Sequence, residues 1–223
     1  GVRFASSPEQ AQAGAEAILG LEIKGQKPRA VLVEPRAESQ GEYYLGITYD
    51  TVTKLPVAIF SDRGGIDIEE VARATPERVA RRPFSALLPF SDYQMKELVG
   101  SLGVTGPDLA ALSGLLSRLA QAFLYHDLLL AEINPLAKLA LDPSRGSPQG
   151  SFLALDAHIE LEDEALYRQG PLLTGLGIEA GGRQARESTP FEREAMEIDR
   201  SDHRGVAGRM VEFSGSLGRI IGG

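Results

Sequence analysis

Cysteine is absent from all 223 residues, so disulfides, zinc-thiolate centres and cysteine nucleophiles are excluded. No apolar run approaches the roughly 20 residues that a helix needs to cross a bilayer, and residues 1–20 carry no basic stretch followed by a signal-peptide core. Neither a membrane span nor a secretion signal is therefore expected. Positive charge is also in short supply. Lys and Arg total 23 against 31 Asp and Glu, a net charge of −8 that opposes binding to a nucleic-acid backbone. The short Arg81-Arg82 pair does not reverse this and reads as a solvated helix end. With 43% hydrophobic and 24% charged residues, the chain has the composition of one or two globular units with a proper core.

Periodicity and turn signals divide the chain. Ser7-Pro8-Glu9-Gln10 opens a helix, with Ser7 as N-cap, Pro8 at the first helical position and Gln10 closing a capping box; Gly20 ends it. Ala30 to Val33 reads as a short apolar strand. Glu42 to Tyr49 and Lys54 to Phe60 form a hairpin around Asp50-Thr51-Val52-Thr53. Leu109, Leu112, Leu115, Leu116, Leu119 and Phe123 recur at steps of three and four, which predicts a long amphipathic helix starting near Pro107. Asp127 to Leu139 and Ser151 to Ala157 read as two strands joined by a surface turn at 141–150. After Arg168, Pro171, Gly175, Gly177, Gly181 and Gly182 accumulate without a hydrophobic period and predict a linker. Thr189-Pro190-Phe191-Glu192 is a second capping box opening a polar helix to about Ile198, and Arg209 to Phe213 reads as a strand.

The chemistry concentrates in Glu132-Ile133-Asn134-Pro135-Leu136 and the strand that follows. A strand alternates its faces, so Glu132 and Asn134 project together; on the returning strand Phe152, Ala154, Asp156 and His158 are expected to share one face. Magnesium takes hard oxygens from one or two side chains and completes its octahedron with phosphate and water, and Asn134 plus Asp156 is a partial shell of that kind. Taken alone, Glu132, Asn134 and Asp156 read as polar groups that make turns at strand ends rather than as a metal site. Gly64-Gly65 enters a helix containing Ile66, Ile68 and Val71. Free N–H groups at a helix start attract anions, but Asp67, Glu69 and Glu70 repel them, so this pair reads as a structural turn. His126 ends the Leu-rich helix, where a cationic ring suits the dipole, and His203 sits in a polar loop.

In order and spacing these segments resemble the nucleotide-binding subunit of succinyl-CoA synthetase and related acid-CoA ligases. The resemblance rests on Glu132-Ile133-Asn134-Pro135-Leu136, Leu153-Ala154-Leu155-Asp156-Ala157-His158 and Ala165-Leu166-Tyr167-Arg168-Gln169. It extends to Gly1-Val2-Arg3, Leu32-Val33-Glu34, Gly41-Glu42-Tyr43-Tyr44-Leu45-Gly46 and Gly64-Gly65-Ile66-Asp67-Ile68-Glu69-Glu70-Val71-Ala72. It implies an α+β ATP-grasp fold of antiparallel sheets and packed helices, incomplete at its N-terminal end and without the flavodoxin-like ligase domain. The implied divisions are residues 1–34, the remainder of a first ATP-grasp subdomain; 35–169, a second subdomain with the metal site; and 170–223, a linker, a helix and the start of the ligase domain.

The resemblance also implies roles. Asn134 and Asp156 would hold Mg2+, Glu132 would face a phosphohistidine, and Glu34 and Glu42 would contact ATP or GTP. The partner implied is an α-type, CoA-binding subunit that carries the phosphorylated histidine, with a nucleotide and a dicarboxylic acid as small-molecule partners and no nucleic acid or membrane. The implied location is the cytoplasm, or the mitochondrial matrix in a eukaryote. Two residues depart from the family's pattern. His158 stands where Lys is usual, exchanging a fixed charge for one that titrates near neutral pH. Ser216 stands where the acid-substrate pocket usually has Asn, offering one hydroxyl in place of an amide. Succinate is the implied acid, with malate-CoA ligase and ATP-citrate-lyase-like activities as alternatives; a non-catalytic partner-binding module is the reading from another class.

Overall fold

The computed structural model describes residues 2–22, 27–88, 91–140, 152–178, 189–201, 211–215 and 218–222. The chain forms two compact units, Gly1–Glu162 and Asp163–Gly223. Among the described residues no helix is long and apolar enough to cross a membrane.

The first unit is built on one antiparallel sheet in the order β3-β2-β1-β4-β5, with β6 also on β4. Its strands are β1 (Ser39–Tyr49), β2 (Pro56–Ser61), β3 (Val79–Pro83), β4 (Leu128–Leu139), β5 (Phe152–Ala154) and β6 (Ala157–Leu161). Strands β1 and β2 form the expected hairpin, because Asp50 Oδ1 accepts from the Val52 and Thr53 amides and from the Thr53 hydroxyl, closing the turn with its own side chain. Those three bonds hold the Asp50 carboxyl below the usual range, the Thr53 amide contributing most.

One face of the sheet is covered by α3 (Asp92–Gly100) and α4 (Gly106–Tyr125). The leucine stripe of α4 is core as expected: Leu112, Leu116, Ala120 and Phe123 are fully buried, against Leu45, Ile47, Ala58, Phe60 and Ala131 of the sheet. Asp108 in the first turn of α4, where a carboxylate complements the helix dipole, pairs with Lys138 near the end of β4. The opposite face carries a smaller cluster, Tyr44, Val57 and Ile59 with Ile68 and Val79, to which α2 (Ile68–Ala74) contributes. Helix α1 (Pro8–Leu19) starts at the Ser7 cap, whose hydroxyl accepts from the Gln10 amide; Gln10 Oε1 returns to the amide of Ser6 rather than Ser7.

Four expectations change. Ala30–Val33 is not a strand. No strand among the described residues pairs with it, and a strand without a ladder leaves its backbone unsatisfied, so Leu32 is 84% exposed beside an exposed Val33. Leu32→Ala is accordingly expected to change unfolding free energy by no more than about 0.5 kcal/mol in a urea titration; a larger loss would mean that the segment packs. Arg81 and Arg82 do not end a helix but lie in β3, opposite Ile59 and Ala58. Arg82 pairs with Glu97 at 3.0 Å. The strand after β4 is interrupted at Leu155-Asp156, so its residues do not share one face: Phe152 packs on the α3/α4 core, whereas His158 points to the Tyr44 side. The cause is a bulge. Tyr43 is paired with Leu136 and Leu45 with Ile133, so Tyr44 alone opposes Asn134 and Pro135, and an extra residue in a strand reverses the alternation beyond it. Finally, the expected linker begins as a helix.

That helix is α5 (Leu166–Gly175), in the second unit, preceded by a 3-10 turn at Asp163–Ala165. Pro171 lies inside it, and burial of Leu173 offsets the poor propensity of the Gly/Pro stretch. Helix α6 (Pro190–Ser201) has the expected capping box. The Thr189 amide donates to Glu192 Oε2 at 2.9 Å and the Glu192 amide to Thr189 Oγ1 at 3.2 Å, while Glu192 Oε1 accepts from the Glu212 amide at 2.7 Å and ties α6 to β7. Strands β7 (Val211–Gly215) and β8 (Gly218–Gly222) pair antiparallel. The 141–150 turn, His203 and Ser216 lie outside the described residues.

Candidate functional site

The bulge in β4 organises the polar face of the sheet. The Asn134–Pro135 peptide is cis, the Asn134 amide donates to the Asp156 carbonyl at 3.1 Å, and the Leu155 amide donates to the Pro135 carbonyl at 3.0 Å. These two backbone bonds bring Asp156 beside Asn134 although 22 positions separate them in the sequence. The Asp156 side chain is exposed, and its Oδ1 accepts from the Ala157 amide at 2.9 Å.

The Asn134 side chain reaches across to the loop before α2. Its Oδ1 accepts from the Gly65 amide at 2.7 Å and its Nδ2 donates to the Ile66 carbonyl at 3.0 Å. This fixes which end of the amide is oxygen, and leaves that oxygen one further lone pair. The Gly64-Gly65 loop is held from the other side as well, because the Gly64 amide donates to the Glu42 carbonyl at 3.0 Å. Glycine is required at both positions: a Cβ on Gly64 would stand 2.5 Å from the Tyr43 carbonyl oxygen, and Gly65 has φ +78° with Glu42 Oε2 2.7 Å from where a Cβ would sit. The pair is thus a structural turn, and its amides are engaged by Glu42 and Asn134. Glu42 Oε1 accepts from the Ser39 hydroxyl at 3.2 Å, so this half-buried carboxylate stands beside the Gly65–Asn134 contact.

Glu132 lies two residues before Asn134 on the same face. Its Oε2 accepts from the Tyr44 hydroxyl at 2.9 Å, and its Oε1 is 3.8 Å from His158 Nδ1. The His158 ring continues the chain, with Nε2 3.2 Å from Glu160 Oε1. Tyr44 is 2% exposed, and burial first, then the nearby Glu132 charge, pushes its phenol far above its ordinary range; it is a neutral donor at any physiological pH. Arg81 is near enough to oppose that shift, which places one cation on this face.

Glu132, Asn134, Asp156 and Glu42 therefore gather around the bulge, while Glu34 is an exposed residue of the segment before β1 and makes none of these contacts. Tyr44 and Arg81 stand on this face although no motif or spacing singles them out as site residues. The nearest signal for Tyr44 is its place in Tyr44-Leu45-Gly46, a polar aromatic next but one to a strand glycine; Arg81 is hidden by a strand that carries two arginines on opposite faces.

Among the described residues no group of three His, Cys, Asp or Glu side chains could hold a metal ion. The oxygens beside the bulge are the Asn134 amide oxygen and the Asp156 carboxylate, hard donors of the type a hydrated, phosphate-bound cation takes. The surrounding carboxylates Glu42, Glu132 and Glu160 make the face acidic. A polyphosphate can approach such a face only with cations between.

A family model described as ATP-grasp domain matches residues 1–138. The chain is 33% identical over 198 residues to a succinate–CoA ligase (ADP-forming) subunit beta of Rubrobacter xylanophilus, covering 89% of this chain and 48% of that one. It is 38% identical over 169 residues to the protein of the same description from Herpetosiphon aurantiacus, covering 75% and 43%. A succinate–CoA ligase (ADP-forming) subunit beta 1 of Archaeoglobus fulgidus is 37% identical over 205 residues, covering 92% and 47%. The chain thus spans about half the length of the curated relatives it matches. Among solved structures, ATP citrate lyase from Methanothrix soehngenii, in complex with citrate and coenzyme A, superposes with a TM-score of 0.61 at 20% identity over 87% of this chain and 42% of that one, a likeness of fold. The antiparallel sheet with helices packed on it and the matched model agree: this chain belongs to the ATP-grasp domain family.

Proposed function

We propose that this chain is the nucleotide-binding, ATP-grasp part of the β-type subunit of a succinate–CoA ligase. In this reading it couples ATP or GTP to phosphorylation of a histidine on an α-type, CoA-binding partner, and from there to formation of succinyl-CoA. The observation that supports it best is the pairing of Asn134 with Asp156 at the β4 bulge, two hard-oxygen donors on an acidic face, in a chain similar to three succinate–CoA ligase β subunits. In this reading residues 1–34 belong to a first subdomain and 35–169 to the second, whose last residues begin α5, and 170–223 lead from within α5 through α6 into a ligase domain.

Each residue has a part. Asn134 Oδ1 and the Asp156 carboxylate would hold magnesium, which supplies neutralisation of phosphate charge as the terminal phosphoryl group leaves. Asn134 also anchors the Gly64-Gly65 turn, so the amide is held in one orientation whether or not a ligand is bound. Glu132 faces the partner's phosphohistidine, where a fixed carboxylate orients the imidazole and favours its positive form. Glu42 and Glu34 border the nucleotide. His158 stands between two carboxylates, 3.8 Å from Glu132 and 3.2 Å from Glu160, where a lysine is usual.

The test is phosphoryl transfer. The full-length subunit, assembled with its partner and given magnesium and nucleoside triphosphate labelled on the terminal phosphate, is expected to pass label to the partner's histidine. Addition of CoA with succinate should discharge it; discharge by malate or citrate instead would reassign the acid. No label on the partner with either ATP or GTP would remove the catalytic reading in favour of a partner-binding module.

A further inference from the structure

Gly46 has a purpose that strand geometry alone does not require. It stands in the middle of β1, with Ile59 opposite on β2 and Glu132 opposite on β4. A Cβ there would collide with the hydroxyl of Tyr44 and would lie 2.7 and 2.8 Å from Cε1 and Cζ of its ring. The ring therefore lies along the sheet over the space that a side chain would fill, and so reaches Glu132 Oε2 at 2.9 Å. Val57 and Ile59, with Ile68 and Val79, pack around it, so the ring has no alternative position without opening that cluster.

We propose that Tyr44 is a positioning residue for Glu132, and that Gly46 supplies the slot through which its hydroxyl reaches the carboxylate. The inference rests on the role given to Glu132 above. A glutamate has three rotatable bonds, and a carboxylate that must meet an imidazole on another subunit works only from one of its orientations. The phenol pins Oε2 by a hydrogen bond to a charged acceptor, and Oε1, with His158 Nδ1 at 3.8 Å, is the oxygen left to turn toward the partner's imidazole. Because the phenol stays protonated, it is a donor throughout the working pH range.

The experiment is a mutant cycle on the full-length subunit with its partner, reading transfer of labelled phosphate to the partner's histidine. Tyr44→Phe keeps the ring and its packing. It is expected to slow transfer by about tenfold to a hundredfold, the range for a lost hydrogen bond to a charged group, with nucleotide KM unchanged and assembly with the partner retained. Glu132→Gln is expected to be slower still, and adding Tyr44→Phe to it to cost nothing further. In a crystal structure of the Tyr44→Phe subunit, the Glu132 carboxylate is expected to leave its place beside residue 44. Gly46→Ala, which displaces the ring, should slow transfer like Tyr44→Phe. Glu132→Gln with normal transfer would overturn the role of Glu132 and this inference with it. Slow Glu132→Gln beside normal Tyr44→Phe, additive losses in the double variant, or an unmoved carboxylate would overturn the inference alone. Normal transfer in Gly46→Ala would remove Gly46 from it.

Discussion

Asp156→Ala in the full-length subunit with its partner is expected to cut phosphorylation of the partner's histidine by at least about a hundredfold, the scale of losing a ligand of a catalytic cation. The variant should still assemble. Asp156 holds Asn134 through its backbone carbonyl, which alanine retains, and its side chain is exposed, so the sheet loses no buried contact. One local bond is removed, from the Ala157 amide to Oδ1, and Asp156→Asn separates the two effects because it keeps that acceptor while removing the charge. Loss of transfer in both variants assigns the effect to charge; loss in alanine alone assigns it to the turn. Transfer at the normal rate in both would defeat the metal assignment.

Phe60→Ala is expected to destabilise the protein by about 3–5 kcal/mol, read as a lower urea midpoint. Phe60 is 0% exposed, at the centre of the main core, with Leu45 opposite it on β1 and Ala80 opposite on β3. Its ring also stacks on Tyr43 at 6.0 Å between centroids, an attraction that alanine forfeits. Neighbours on a sheet cannot close in as a loop can, since their spacing is fixed by the ladder, so most of the cavity persists. A loss below about 1 kcal/mol would show that the α3/α4 face repacks freely, contrary to the close packing of protein interiors.

What the sequence disclosed follows from the range of each interaction. The α4 stripe, the Asp50 turn and the Thr189–Glu192 box are read within four residues, because their bonds are made within four residues. Glu132 and Asn134 were legible as one face for the same reason: alternation is local. The failures are all non-local. Ala30–Val33 has the composition of a strand, but strand formation is decided by a ladder partner, and none of the described residues provides one. Alternation alone puts Phe152 and His158 on one face, because the bulge that separates them is visible only in the pairing of β1 with β4. The helix through Pro171 was hidden because burial of Leu173 overrides a local preference. Of the site, the residue types and the Asn134–Asp156 proximity could be expected; the grip of Asn134 on Gly65 and of Tyr44 on Glu132 could not, since they join positions 69 and 88 apart.

Strand β4 is flanked on both sides, by β1 along one edge and by β5 and β6 along the other. Its amide hydrogens are therefore shielded from solvent until neighbouring strands separate on both sides, and the segment from Ala131 to Ala137 belongs to the part of the unit that opens last. The 31–38 segment is the opposite case among the described residues, with no ladder and mostly exposed side chains, and is open to proteolysis. Under partial denaturation, Glu132 and Asn134 would keep their geometry after Glu34 had lost its own. Any binding contributed by the region around Glu34 would then fade at milder conditions than any contributed at the bulge.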